Sequence, residues 1–130
     1  MRVSSTVARK RPKHLNLMQI RLPVPGIISI MHRVSGAVLF LLIPLLLWLF
    51  QSSLQSHGSF MQFSAVVSHP LMKLVLLGLL WGYLHHLLAG LRHLFLDLHI
   101  GIELETARLT SMIVLAGGIV LTLAAGVALW

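Results

Sequence analysis

The sequence predicts an all-α membrane protein with three transmembrane helices and a cytoplasmic N-terminus. Three observations carry this. Hydrophobic residues fill 57% of the 130 positions and charged residues only 10%, against about 45–50% and about 25% in soluble domains. A water-soluble globule this small could not hide so much apolar surface. Three stretches are long enough to cross a ~30 Å hydrocarbon core, which takes about 20 helical residues. Basic residues crowd one end: Arg2, Arg9, Lys10, Arg11, Lys13 and Arg21 are six of the ten, as on the cytoplasmic flank of a membrane span.

The elements follow in order, within a single anchoring domain over 1–130. Residues 1–26 read as a cytoplasmic segment. They lack the apolar region of a signal peptide, and no Ser/Arg-rich amphipathic transit sequence is evident, so a bacterial inner membrane is expected rather than a mitochondrial one. The first helix is expected at about 27–51. After Arg33 no charge occurs until Lys73. Pro44 lies inside it and should bend it, because proline removes one i→i−4 hydrogen bond. The connection to the second helix contains no Lys or Arg from Gln51 to Pro70 and reads as a loop on the far side. The second helix is expected at about 69–98, opened by a cap at Ser68-His69 and by Pro70 in its first turn. The loop Arg92–Arg108 carries two arginines and all three acids, which returns it to the cytoplasmic face. The third helix is expected at about 106–130, and from Leu109 to Trp130 it has no charge. Trp48 and Trp130 then both fall at the far interface, where aromatic belts form.

The formal charge of +7 raises a nucleic-acid reading, but no aromatic platform or groove-reading motif accompanies it. Its use is topological. The absence of cysteine excludes disulfides, thiolate metal sites and Cys-ligated clusters. Gly118, Thr122 and Gly126 recur every four residues on the third helix. Such a stripe lets helices approach closely, either within this chain or against another subunit.

Eight histidines are the informative polar residues. His86, Gly90, His93 and Asp97 fall within roughly 60° of arc on the second helix, and Gly78 and Gly82 extend that face upstream. A glycine groove with one imidazole in it suits a flat ligand such as haem, for which neutral histidine is a common axial partner. Glycines that serve only close packing, and a histidine that bonds across to another helix, are the alternative. His86 lies roughly 9 Å inside the cytoplasmic boundary, a depth where an ionisable residue marks function by default. His86 and His93 are about 10 Å apart along one helix, so they cannot share an iron. A bis-histidine haem would need its second ligand from another polypeptide. His85 points about 100° away from His86 and reads as a polar contact or a spare, not the ligand. A second cluster, Ser29, His32 and Arg33, opens the first helix. Arg33 could snorkel to phospholipid, or form a polar pocket in which it pairs with a propionate while Ser29 bonds a quinone carbonyl.

These clusters resemble the cytochrome b membrane-anchor subunit of succinate dehydrogenase (complex II). The first signature is Arg11-Pro12 followed by Ser29-Ile30-Met31-His32-Arg33-Val34-Ser35-Gly36. The second is His86-Leu87-Leu88-Ala89-Gly90-Leu91-Arg92-His93, closed by Asp97. Lys13 and Leu96 depart from the pattern at positions that touch no proposed ligand. The resemblance implies one half of a heterodimeric haem-binding helix bundle. His86 would be an axial ligand of haem b, and a second anchor subunit would supply the other. His32, Arg33 and His93 would lie near the haem propionates. Ser29 and Arg33 would help bind ubiquinone as substrate, and Asp97 could assist proton delivery or instead pair with Arg92. The other implied partners are an iron–sulfur subunit, a flavoprotein subunit that oxidises succinate, and the lipid bilayer. The rival readings are a haem-free structural subunit of another respiratory or transport complex and a proton-conducting protein. The second is disfavoured because the third helix carries no ionisable residue from Leu109 onward.

Overall fold

The computed structural model of the chain describes residues 21–130. Arg2, Arg9, Lys10, Arg11, Pro12 and Lys13, with the basic cluster and first half-signature read from them, lie outside the described residues. Within that range the chain is all-helical: α1 Val24–Ser53, α2 His57–Ser68, α3 Pro70–Asp97 and α4 Leu104–Leu129. Three of these, α1, α3 and α4, are long and apolar enough to cross a membrane.

Local chemistry sets the helix ends. Pro23 caps α1, with backbone in the extended region, and a proline occupies the first turn, where its missing N–H costs nothing. The helix continues through Pro44 to Ser53. His69 caps α3 by accepting from the Leu71 N–H through Nδ1 at 3.3 Å, ahead of Pro70. At the other end of α3 the chain turns through His99, at φ 60°. The His99 N–H donates to Leu96 O (2.9 Å) and the Ile100 N–H to Phe95 O (3.0 Å). This is a Schellman closure with histidine in the left-handed position that usually takes glycine.

The segment between α1 and α3, read from sequence as a loop, contains α2. It is nucleated by a reciprocal cap in which the Ser59 N–H donates to Ser56 Oγ (3.1 Å) and the Ser56 N–H to Ser59 Oγ (3.0 Å). The pattern Ser-x-x-Ser was the available signal.

The packing is inverted relative to a soluble protein. The buried residues are Ile28, Ala89 and Val114 together with the polar Ser53, His85, Arg92, Ser111 and Thr122, whereas large apolar side chains such as Phe40, Leu41, Trp48 and Val127 face outward. Lipid rather than water explains that arrangement, because in hydrocarbon it is the polar groups that must find partners inside. Ser111 and Thr122 donate back to the carbonyls of Ala107 and Gly118, each at 2.7 Å.

The small-residue stripe on α4 packs within this chain. A Cβ on Gly118 would stand 3.6 Å from His85 Cα, and one on Gly126 would stand 2.9 Å from Leu77. At the far end of the bundle Lys73 Nζ lies 5.5 Å from the Trp130 ring. The apolar core of Ile28, Ala89 and Val114, with Met31, Leu88 and Leu115 against it, lies at the opposite end. That tight end holds His32, His85, His86 and His93.

Candidate functional site

Two histidines and two glycines interlock α1 with α3. His86 on α3 lies over Gly36 on α1, where an added Cβ would be 2.7 Å from its Cε1. His32 on α1 lies over Gly90 on α3, where an added Cβ would be 3.4 Å from its Nε2. Gly36 thus removes a side chain that would displace the His86 imidazole, whereas a methyl at Gly90 would only touch His32. The rings of His32 and His86 stack with centroids 4.2 Å apart and planes 11° apart. His93 approaches the other side of His32 at 5.0 Å, tilted by 41°. His32 therefore fills the space between the two α3 histidines.

The hydrogen bonds of His86 define its tautomer. Nδ1 is 3.0 Å from the His32 carbonyl oxygen and 3.2 Å from Ser35 Oγ. A carbonyl can only accept, so Nδ1 carries the proton. The Ser35 hydroxyl donates its own proton to His32 O at 3.0 Å, which leaves its oxygen free to accept from His86. Nε2 then presents a lone pair, and it has no hydrogen-bond partner among the described residues. This is how a metal-ligating imidazole is oriented: one nitrogen held by a carbonyl, the other free.

The open space on these two helices adjoins Ser35 and His85, and His86 is not among the residues that line it. Nothing lies within 4 Å of where a Cβ would stand on Gly78 or Gly82. These two glycines line a cavity of about 330 Å³ between α1 and α3, with Ile30, Val34, Val38 and His85 among its other walls. No cluster of three or more ligating side chains occurs among the described residues. A metal bound at His86 would therefore take its other donors from outside these residues, from a macrocycle such as haem or from another chain.

The remaining predicted residues are dispersed. Ser29 is half-buried and Arg33 exposed, and neither bonds His86. Asp97 ends α3 and is exposed. It does not pair with Arg92: that side chain turns to α4, where Nε donates to Thr110 Oγ1 (3.0 Å) and Nη2 to the Ala107 carbonyl (3.2 Å). Two intrachain acceptors one helix away outcompete a carboxylate that would have to leave the surface. Of the two readings of His85, a polar contact or a spare, the structure shows no polar contact among the described residues. Its ring is 1% exposed and stacks on Trp81 at 5.5 Å, and both ring nitrogens lack a partner among the described residues. The roles of Ser35 and Gly36 were not assigned from sequence. Their spacing from His32, three and four residues on, places all three on one helix face and was the signal for them.

Three lipid-facing spans packed around an oriented imidazole define a membrane-embedded subunit able to hold a prosthetic group. The comparisons with known proteins make that specific. The chain belongs to the family described as succinate dehydrogenase/fumarate reductase transmembrane subunit, whose pattern it matches over residues 7–125. Among similar proteins, the succinate dehydrogenase cytochrome b556 subunit of Paracoccus denitrificans is 40% identical over 111 residues, 85% of each chain. The protein of the same description from Coxiella burnetii is 35% identical over 122 residues, 93% of this chain and 98% of the relative. That of Rickettsia felis is 28% identical over 117 residues, covering 90% and 91%. The chain is thus a transmembrane subunit of an oxidoreductase family.

Proposed function

We propose that this chain is the cytochrome b anchor of a succinate dehydrogenase, that it binds haem b jointly with a second anchor subunit, and that it helps form the site where ubiquinone is reduced. The observation that carries the reading is His86, with Nδ1 tied to His32 O and Ser35 and Nε2 left as a free lone pair. A haem held there would supply a one-electron reservoir beside the quinone. His93 sits two turns away, with the His32 ring between it and His86, so a second protein ligand to the haem would come from the second anchor. His32, Arg33 and His93 are at the same end of the bundle and would hold the propionates. Ser29 would donate to a quinone carbonyl. Arg33, one turn along the same face, would stabilise the negative charge that develops on the quinone oxygen. Asp97, exposed at the close of α3, would relay protons from water as the quinone takes up two. Electrons would arrive from an iron–sulfur subunit fed by the flavoprotein that oxidises succinate. The basic N-terminal flank supports placing this end on the cytoplasmic side of a bacterial inner membrane.

The test is co-expression with the three partner subunits. Membranes should give a b-type band in the dithionite-reduced minus oxidised spectrum, and His86→Ala should abolish it. Ser29→Ala and Arg33→Ala should lower ubiquinone reduction at least tenfold and leave succinate oxidation by a soluble artificial acceptor near wild type. A wild-type complex without the band would instead be a haem-free structural assembly. Equal losses in both assays would remove the quinone role.

A further inference from the structure

A second built feature lies on another face of α3. Arg92 is 8% exposed, and its two hydrogen bonds go to neutral acceptors, Thr110 Oγ1 and Ala107 O. The whole chain has only three acids, Asp97, Glu103 and Glu105, and all three are exposed. None of them bonds this guanidinium. A buried cation in a membrane protein is held by an anion or by backbone carbonyls; Arg92 has one carbonyl, from Ala107, and no anion of this chain bonds it. Nη1 has no partner among the described residues.

Arg92 also lines the mouth of a groove between α3 and α4 of about 390 Å³, whose walls include Leu88, Ile113, Gly117 and Leu121. From Thr110 to Leu121 the groove follows α4 for roughly 16 Å at 1.5 Å per residue, about half of a ~30 Å hydrocarbon core. An anion-seeking fork thus sits at the head of an apolar channel one leaflet deep. The fork geometry of arginine matches phosphate oxygens in pairs.

We propose that the α3–α4 groove binds one anionic phospholipid, its phosphate on Arg92 and an acyl chain along Leu88, Ile113 and Leu121. A carboxylate from a partner protein would meet the charge but leave the channel below it unfilled. The lipid does both, and Arg92 lies about 120° around α3 from His86.

The assembled complex, purified in non-ionic detergent, is mixed with phosphatidylglycerol or phosphatidylcholine at equal molar ratio and weighed by native mass spectrometry. One phosphatidylglycerol per anchor chain should survive collisional activation, at least tenfold in excess over phosphatidylcholine. Arg92→Gln should lower that retention at least tenfold, and Arg92→Lys, which keeps the charge but not the fork, should restore only part of it. Ile113→Trp fills the channel without touching the charge and should also release the lipid. Excess inorganic phosphate should not displace it, since the acyl chain is also held. Equal retention of the two lipids, full retention in Arg92→Gln or Ile113→Trp, displacement by phosphate, or a cross-link from a partner carboxylate to position 92 would each overturn the proposal. If Arg92→Gln fails to assemble, the Ile113→Trp result decides.

Discussion

Gly36→Ala is the sharpest test of the α1–α3 interlock. The added methyl would stand 2.7 Å from His86 Cε1, against an ordinary carbon separation of about 3.5–4.0 Å. The ring must retreat by about 1 Å. It cannot do so freely, because Nδ1 is held at 3.0 Å by the His32 carbonyl and its face is stacked on His32 at 4.2 Å. Overpacking of this kind costs about 1–3 kcal/mol, and loosening the hydrogen bond adds about 1 kcal/mol. Replacing a helical glycine by alanine returns about 1 kcal/mol, so the net loss is about 1–3 kcal/mol.

The other glycines on these helices form an internal scale. Gly90→Ala meets His32 Nε2 at 3.4 Å and should cost little; Gly82→Ala meets nothing within 4 Å. Gly82→Ala should therefore leave the chain as stable as before, or slightly more so, yet weaken the b-type band if a flat group covers that groove. Thermal unfolding of the detergent-solubilised complex and the difference spectrum measure the two effects separately. An unchanged melting temperature and spectrum in Gly36→Ala would refute the interlock. So would a Gly82→Ala variant as unstable as Gly36→Ala.

Two further outcomes follow. Ser35→Ala removes one of the two acceptors on His86 Nδ1. It should keep the b-type band but raise the haem midpoint potential by up to about 40 mV, the equivalent of a ~1 kcal/mol hydrogen bond in a one-electron couple, with partial recovery in Ser35→Thr; redox titration with no shift would deny Ser35 a positioning role. His99→Gly relieves a left-handed histidine (φ 60°) at the end of α3. It should stabilise the complex by about 1 kcal/mol, seen as a higher melting temperature, whereas His99→Val should lower it.

The site was legible in sequence to the extent that it rests on local spacing. His86, Gly90 and His93 share a face because 3.6 residues make a turn, and the structure places them together with His32. What Gly90 does was not legible. It reads as part of a groove for a ligand, but the His32 ring occupies it, and only Gly78 and Gly82 remain open. Likewise the Arg92–Asp97 pair was plausible from proximity along one helix. It gives way to Thr110 and Ala107 because those acceptors come from α4, whose rotation no local pattern specifies. The helix α2 escaped notice because its apolar residues do not keep a clear period and its start depends on one four-residue cap.

Sequence by itself determined that this chain spans a membrane three times, since a bilayer reads composition over windows of about 20 residues, and that information is local. It also determined which residue types could carry chemistry. Tertiary structure alone decided which faces of the helices meet. His86 takes its tautomer from a carbonyl 54 positions away, and Arg92, on the same helix, turns towards α4. The physical reason is that helix rotation is set by side chains interlocking across tens of residues, in a medium where the hydrophobic effect does not drive one helix face against another.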